Sequence, residues 1–325
     1  MDRVLLIGLG PTALTALESL ASRFCVAGII RDAGPDDDVV ARARSLGVPV
    51  LADVGLAGVE KAVAESAPAC VVVSSYDRIL PSSLLVRTRF VNVHYAPLPE
   101  YRGRANVNWA VLNGEPETAV TVHVMAPGLD AGTILYQQRV TIGPDDTVGD
   151  LYARLNAVQR DVLGETVARH LAGYPGEPQD ERGATYGCTR VPADGEIDWS
   201  AATGRIHALI RALSPPYPGA HTYLEGRRIG VLRASPLDDP PRYVGRIPGR
   251  VVGRSTRHGY ADVLTGDGVL RLHELTDGDD ARPASEVLVS TRQTLGLRTA
   301  DLLGRIEELE NRLRCLTEGD SGSPL

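Results

Sequence analysis

The chain has 325 residues, 43% hydrophobic and 23% charged, which is enough for about two domains that each bury a core. That composition excludes a disordered or collagen-like chain. A formal net charge of −7 disfavours broad nucleic-acid binding, and no apolar run reaches the roughly 18 residues that a membrane span needs.

The first residues lead directly into a strand pattern with no signal-peptide cleavage site. Residues 4–8 read as strand, Gly10-Pro11 opens a helix through residue 20, and residues 26–30 form a second strand. A helix over 36–46, a short strand at 48–51 and a helix over 56–65 follow, then strands at 70–73 and 90–94. Continuous apolar strands alternating with helices predict a parallel sheet covered on both faces, with ligands beyond the carboxyl ends of its strands. Residues 120–124 and 134–140 predict paired strands joined by a turn around 128–132. A long helix is expected over 147–171, and residues 173–183, rich in Gly and Pro, read as a linker. From about residue 186 short strands and turns dominate, with one helix at 201–213, a density that predicts a small barrel. The expected organisation is an α/β domain over 1–183, a barrel-like domain over 184–298 and a helical tail over 299–325. In the tail Leu302, Ile306, Leu309, Leu313 and Leu316 recur at steps of four and three, a spacing for helix pairing. The stripe packs either on its own domain or on a partner chain.

The four cysteines, Cys25, Cys70, Cys188 and Cys315, are far apart and form no CxxC. Reduced thiols in the cytoplasm are expected, with no zinc site. Gly8-Leu9-Gly10-Pro11-Thr12-Ala13 fits the dinucleotide fingerprint, with Asp32 near the place of a ribose-binding acid. Pro11 removes a backbone N–H that such a loop needs, so a tight turn into a helix is the better reading. Asn92 and His94 alternate with valines, which places both side chains on one face at the end of a central strand. Buried polar groups need partners, so this pair marks a candidate site. Asp130 lies in the glycine-rich turn that follows.

Asn92-Val93-His94, Leu98-Pro99-Glu100-Tyr101-Arg102-Gly103, Asn108-Trp109-Ala110-Val111-Leu112-Asn113-Gly114-Glu115 and Leu129-Asp130-Ala131-Gly132 together resemble the signature of formyltransferases that use 10-formyltetrahydrofolate. Downstream, Glu196-Ile197-Asp198-Trp199 and the segment from Ile210 to Gly219 are similar to the second domain of the methionyl-tRNA formyltransferase branch. Thr294-Leu295-Gly296-Leu297 is similar to the end of that second domain in the bacterial enzyme that formylates UDP-4-amino-4-deoxy-L-arabinose. The resemblance implies a Rossmann-like catalytic domain, a small OB-like β-barrel after it, and N10-formyltetrahydrofolate as formyl donor, with no metal. It implies Asn92, His94 and Asp130 as the catalytic groups. The pterin end of the folate would sit near Ser75, Tyr76, Arg78, Ile79 and Leu80, with Gly128 close by. Position 96 departs from the pattern, since Ala96 stands where a Ser is usual.

The family that the chain resembles formylates several amines, and a small one is expected here. The stretch from Asn108 to Glu115 looks more like the sugar branch than the tRNA branch. Arg102, Gly103, Arg104 and Asn108 are therefore expected to contact a nucleotide-linked amino sugar, with the two arginines on its diphosphate. Hydroxyornithine or another secondary-metabolism amine, and methionyl-tRNA, are the alternative acceptors. A degenerate ligand-binding protein and an NAD-dependent oxidoreductase are the readings from other classes. A homodimer is the expected assembly.

Overall fold

The computed structural model describes residues 1–319 apart from 11, 33, 35, 36 and 279. Pro11 and Asp36, named above, lie outside the described residues, as does the side chain of Leu316. The chain divides into two compact units, Met1–Ala110 with Gly114–Arg190, and Val111–Asn113 with Val191–Leu325.

Five strands of the first unit are parallel: β1 (Arg3–Ile7), β2 (Cys25–Ile30), β3 (Val50–Leu51), β4 (Cys70–Ser74) and β5 (Arg89–His94). Helices α1 (Ala13–Ala21), α2 (Asp38–Ser45), α3 (Leu56–Ser66) and α4 (Ser82–Leu85) connect them. The sheet order is β3-β2-β1-β4-β5, extended by antiparallel β7 (Glu117–Val124) and β8 (Ile134–Thr141). Val4 to Ile7 and Val71 and Val72 are fully buried, as expected of strands covered on both faces. Between β5 and β7 lie the short β6 (Arg102–Gly103) and α5 (Asn106–Asn113). Helix α6 (Val148–Leu171) begins with a capping box between Thr147 and Asp150. The buried Gln159 of α6 donates to Thr12 O and Thr15 Oγ1 at 2.8 Å, and Tyr95 Oη donates to Asn156 Oδ1 at 2.7 Å. These bonds tie α6 to the segments that leave β1 and β5.

Residues 173–183 are not a bare linker. Glu177 exchanges backbone hydrogen bonds with Ile134, and β9 (Tyr186–Gly187) pairs in parallel with β6. The chain thus stays with the first unit to Arg190.

The second unit is built on an antiparallel sheet in the order β10 (Ala220–Leu224), β11 (Arg227–Pro236), β14 (Val269–Asp277), β13 (Tyr260–Leu264) and β12 (Val251–Ser255), with β15 (Asp280–Pro283) on β14. Residues 293–296 join its two edges: Val251 N donates to Gln293 O, Leu295 N to Gly249 O, and Gly296 N to Tyr223 O. The sheet therefore closes on itself around Ile229, Val231, Val263, Leu270 and Leu272, all fully buried. Helix α7 (Thr203–Ala212) and the short α8 (Ala284–Val287) accompany it, and α9 (Thr299–Gly319) ends the described chain. No helix among the described residues is long and apolar enough to cross a membrane.

Candidate active site

The carboxyl ends of β1, β4 and β5 carry the loops where ligands of such sheets bind. The loop after β1 is occupied by the protein itself. Arg31 Nη1 donates to Gly8 O at 2.8 Å and Gly10 O at 3.3 Å, while its Nε donates to Asp37 at 2.6 Å. A pyrophosphate needs N–H groups from this loop, whereas here a buried guanidinium holds its carbonyls. That arrangement suits the tight turn and not a dinucleotide site.

At the end of β5 the alternation acts as expected. Asn92 and His94 share a face, and the antiparallel register sets His123 of β7 directly opposite Asn92. Asn92 Nδ2 donates to His123 Nε2 at 3.1 Å. His123 Nδ1 faces the carbonyl of Val124 at 2.9 Å, which can only accept, so the proton sits on Nδ1 and Nε2 is the acceptor. Asp130, at φ +48° in the β7–β8 turn, stands between the two imidazoles. Its Oδ2 is 3.6 Å from His94 Nδ1 and its Oδ1 is 3.6 Å from His123 Nε2. The structure thus brings Asn92, His94 and Asp130 together.

His94 is 6% exposed, and its Nε2 lies 2.9 Å from the Tyr101 carbonyl. A carbonyl accepts only, so Nε2 carries a proton. Asn106 completes that side. In the orientation that satisfies both its ends, its oxygen accepts from His94 Nε2 at 3.1 Å and its nitrogen donates to Tyr101 O at 3.0 Å. Nδ1 is left as the nitrogen that faces Asp130. Burial lowers the His94 pKa, with His123 adding to the shift and the Asp130 charge and Tyr101 carbonyl opposing it. Burial alone would raise Asp130. The facing imidazoles of His123 and His94 and the Gly103 N–H together hold its carboxyl well below the usual range. Asp130 is an ionised acceptor at neutral pH.

The Asp130 turn is clamped from two directions. Gly103 N donates to Asp130 Oδ2 at 2.9 Å, and Gln179 Nε2 donates to the carbonyls of Asp130 and Gly132 at 2.7 Å. Gly103 has φ +95°, and a side chain there would meet Gly187 O at 2.9 Å. At Gly132 a Cβ would lie 1.7 Å from Val124 O, so only glycine lets the turn close on β7.

Arg102 corrects the expectation of a diphosphate ligand. Its side chain is 2% exposed, and all five N–H groups have partners on Gln179, Glu181 and Tyr186. It buttresses Gln179 and, through it, the Asp130 turn. Gly103 likewise serves Asp130. Asn108 is 2% exposed and lies within the packed layer of α5, so it presents no open surface to an acceptor. Arg104 alone of the four is exposed. Of the expected folate loop, Ser75, Arg78 and Ile79 are exposed. Ser75 takes φ +64°, its carbonyl accepts from Leu9 N, and its Oγ lies 2.9 Å from Thr12 Oγ1. Tyr76 is half-buried and its Oη donates to Val54 O at 3.0 Å. The Leu80 side chain is 5% exposed in a core cluster with Leu84 and Phe90, so only its backbone can face a ligand. Gly128 sits in the exposed Asp130 turn, its carbonyl accepting from Ala131 N. Among the described residues no group of three or more His, Cys, Asp or Glu could hold a metal ion.

Residues 53–167 match the family described as Formyl transferase, and residues 191–292 match its C-terminal domain. The chain belongs to the formyl transferase family. HypX from Aquifex aeolicus in complex with tetrahydrofolic acid aligns with this formyl transferase at a TM-score of 0.64 and 17% identity. The alignment covers 89% of this chain and 47% of HypX, so the chain spans about half the length of that relative. WlaRD, a sugar 3N-formyl transferase solved in the presence of dTDP and 5-N-formyl-THF, aligns at a TM-score of 0.59 and 17% identity, over 86% of this chain and 99% of that one. At these identities the likeness is one of fold.

Proposed function

We propose that the protein transfers a formyl group from N10-formyltetrahydrofolate to the primary amine of a nucleotide-linked amino sugar. The observation that carries the reaction is the cluster of Asn92, His94 and the ionised Asp130 at the carboxyl end of β5. The residues present fit the donor. Beside the cluster's strand the loop after β4 offers exposed Ser75, Arg78 and Ile79 and half-buried Tyr76, able to hold a ring with an apolar face and polar edges. Bound N10-formyltetrahydrofolate supplies an activated formyl group whose oxygen gathers negative charge as an amine attacks.

The residues of the chain do the rest. Asn92 keeps one amide N–H on His123 and has a second N–H to donate to that oxygen. Such a donor is worth about 3–4 kcal/mol where charge develops. His94 holds or releases a proton at Nδ1, since Nε2 is bound to the Tyr101 carbonyl. Lowered by burial, it is neutral at rest and can take a proton from the attacking amine. Asp130 stabilises the imidazolium that forms, and Nδ1–H can then give its proton to the folate N10 as the bond from N10 to the formyl carbon breaks and that carbon stays on the amine. Hydrogen bonds within the chain hold these groups in place, which is the condition for electrostatic catalysis.

The sugar acceptor is supported by exposed Arg104 beside Gly103, by the net charge of −7, and by the fold shared with WlaRD. A tetrahydrofolate-release assay tests both parts. The donor is mixed with dTDP- and UDP-linked amino sugars, with hydroxyornithine and with methionyl-tRNA. Turnover on a nucleotide sugar is expected. Turnover confined to another acceptor overturns the sugar reading, and no turnover with any acceptor overturns the reaction.

A further inference from the structure

Among the described residues the apolar stripe of α9 stands exposed. Leu302, Ile306, Leu309 and Leu313 are 43%, 51%, 50% and 63% exposed, and Leu303 beside them is 55% exposed. Such a contiguous stripe on a solvated helix marks an interaction surface. The helix has 21 residues, and helices in proteins draw most of their stability from packing an amphipathic face. Its spacing repeats as 4-3-4-3, which places Ile306 and Leu313 at a and Leu302, Leu309 and Leu316 at d of a heptad. Ile at a with Leu at d suits a two-stranded pairing.

We propose that α9 pairs with α9 of a second copy of this chain as a short parallel coiled coil. The flanking charges decide the occupant and its direction. In this register Arg305 and Arg312 fall at g and Glu310 at e. In a parallel, in-register pair, g of one helix meets the following e of the other, so Arg305 faces Glu310 of the second copy, twice by symmetry. In an antiparallel pair the g positions face one another, which opposes arginine to arginine. The polar side of the helix also speaks against a lipid surface. Asp301, Glu307, Glu308 and Glu310 outweigh Arg305, Arg312 and Arg314, whereas membrane-surface helices carry a basic polar face. Within one chain Arg305 and Arg312 both pair with Glu308, at 2.6 and 3.2 Å.

Sedimentation velocity on the full chain at micromolar concentration tests the pairing. A dimer of the 34.7 kDa chain is expected, reduced to monomer by Ile306→Asp or by removal of residues 299–325. A monomeric full chain, or a truncated chain that keeps the dimer mass, overturns the proposal. Charge reversal tests the direction. Arg305→Glu should weaken the dimer and Arg305→Glu with Glu310→Arg should restore it, whereas a tighter dimer from Arg305→Glu alone overturns the parallel arrangement. Oxidative cross-linking gives an independent reading with Cys25, Cys188 and Cys315 changed to Ser. Leu309→Cys should then form a covalent dimer and Glu307→Cys, on the outer face, should not. Equal yields at the two positions count against the coil. Circular dichroism on each variant separates loss of pairing from loss of folding.

Discussion

The Nε2–H of His94 donates to the backbone carbonyl of Tyr101 at 2.9 Å, and Tyr101 reaches that place with φ +57°. Few L-residues hold such a conformation without help. Tyr101 is anchored by its own amide on Thr185 Oγ1 at 2.8 Å and by its phenol, which donates to Glu115 at 2.5 Å. One backbone carbonyl thereby sets which nitrogen of the His94 imidazole faces Asp130.

If that imidazole handles the proton, His94→Ala and Asp130→Ala each lower kcat by at least about 10²-fold, the scale of general acid–base or oxyanion help. Tetrahydrofolate release measures it, with far-ultraviolet circular dichroism as the folding control. Near-normal turnover in either variant would show that the chemistry lies elsewhere.

The charge of Asp130 raises the His94 pKa against the effect of burial. Asp130→Asn therefore lowers that pKa further, which a titration of the ¹³C-labelled imidazole reads directly. An upward shift refutes the electrostatic account. The stability of the protein follows the same signs. Both groups have folded pKa values below their ordinary 6.5 and 3.8, so the unfolded chain binds more protons. Their effect is a loss of stability as pH falls below about 6.5 for His94, and a further loss below about 3.8 for Asp130.

Gly132→Ala forces the Asp130 turn away from β7, because the added Cβ would lie 1.7 Å from Val124 O. The cost of such overpacking is about 1–3 kcal/mol. Misplacing Asp130 by an ångström should lower kcat by about 10²-fold. Thermal melts and kinetics on the one variant check both effects.

Arg102 and Arg104 should separate cleanly. Arg102→Ala lowers the melting temperature and kcat, because Gln179 loses its support, and leaves the acceptor KM nearly unchanged. Arg104→Ala leaves melting unchanged and raises KM for a diphosphate-bearing acceptor by roughly ten- to a hundredfold, the worth of a charged hydrogen bond. A kcat effect of Arg104→Ala with an unmoved KM would remove the diphosphate contact.

What could be read from residues alone depended on how local the cause was. Val-Asn-Val-His shows a strand face by alternation, and the Asp130 turn shows itself by its glycines. His123 sits in the same alternation, Val-His-Val, but its place emerged only when β7 paired with β5. Arg102 looked like a surface cation because its partners, Gln179 and Glu181, lie in a segment that composition marks as linker. The leucine stripe of α9 was legible from its spacing. Its exposure was not, since either a home domain or a partner chain satisfies the same pattern.

Asn92 and His123 are opposed across one antiparallel ladder, and His94 is opposed to Thr121 two rungs on. Side chains alternate faces at every residue of a strand. A single-residue insertion or deletion in β5 or β7 would turn one histidine towards the helices and leave the other in place. Length change in this protein is thus closed to these two strands. Chains that keep the reaction while diverging elsewhere must do so by substitution here, residue for residue.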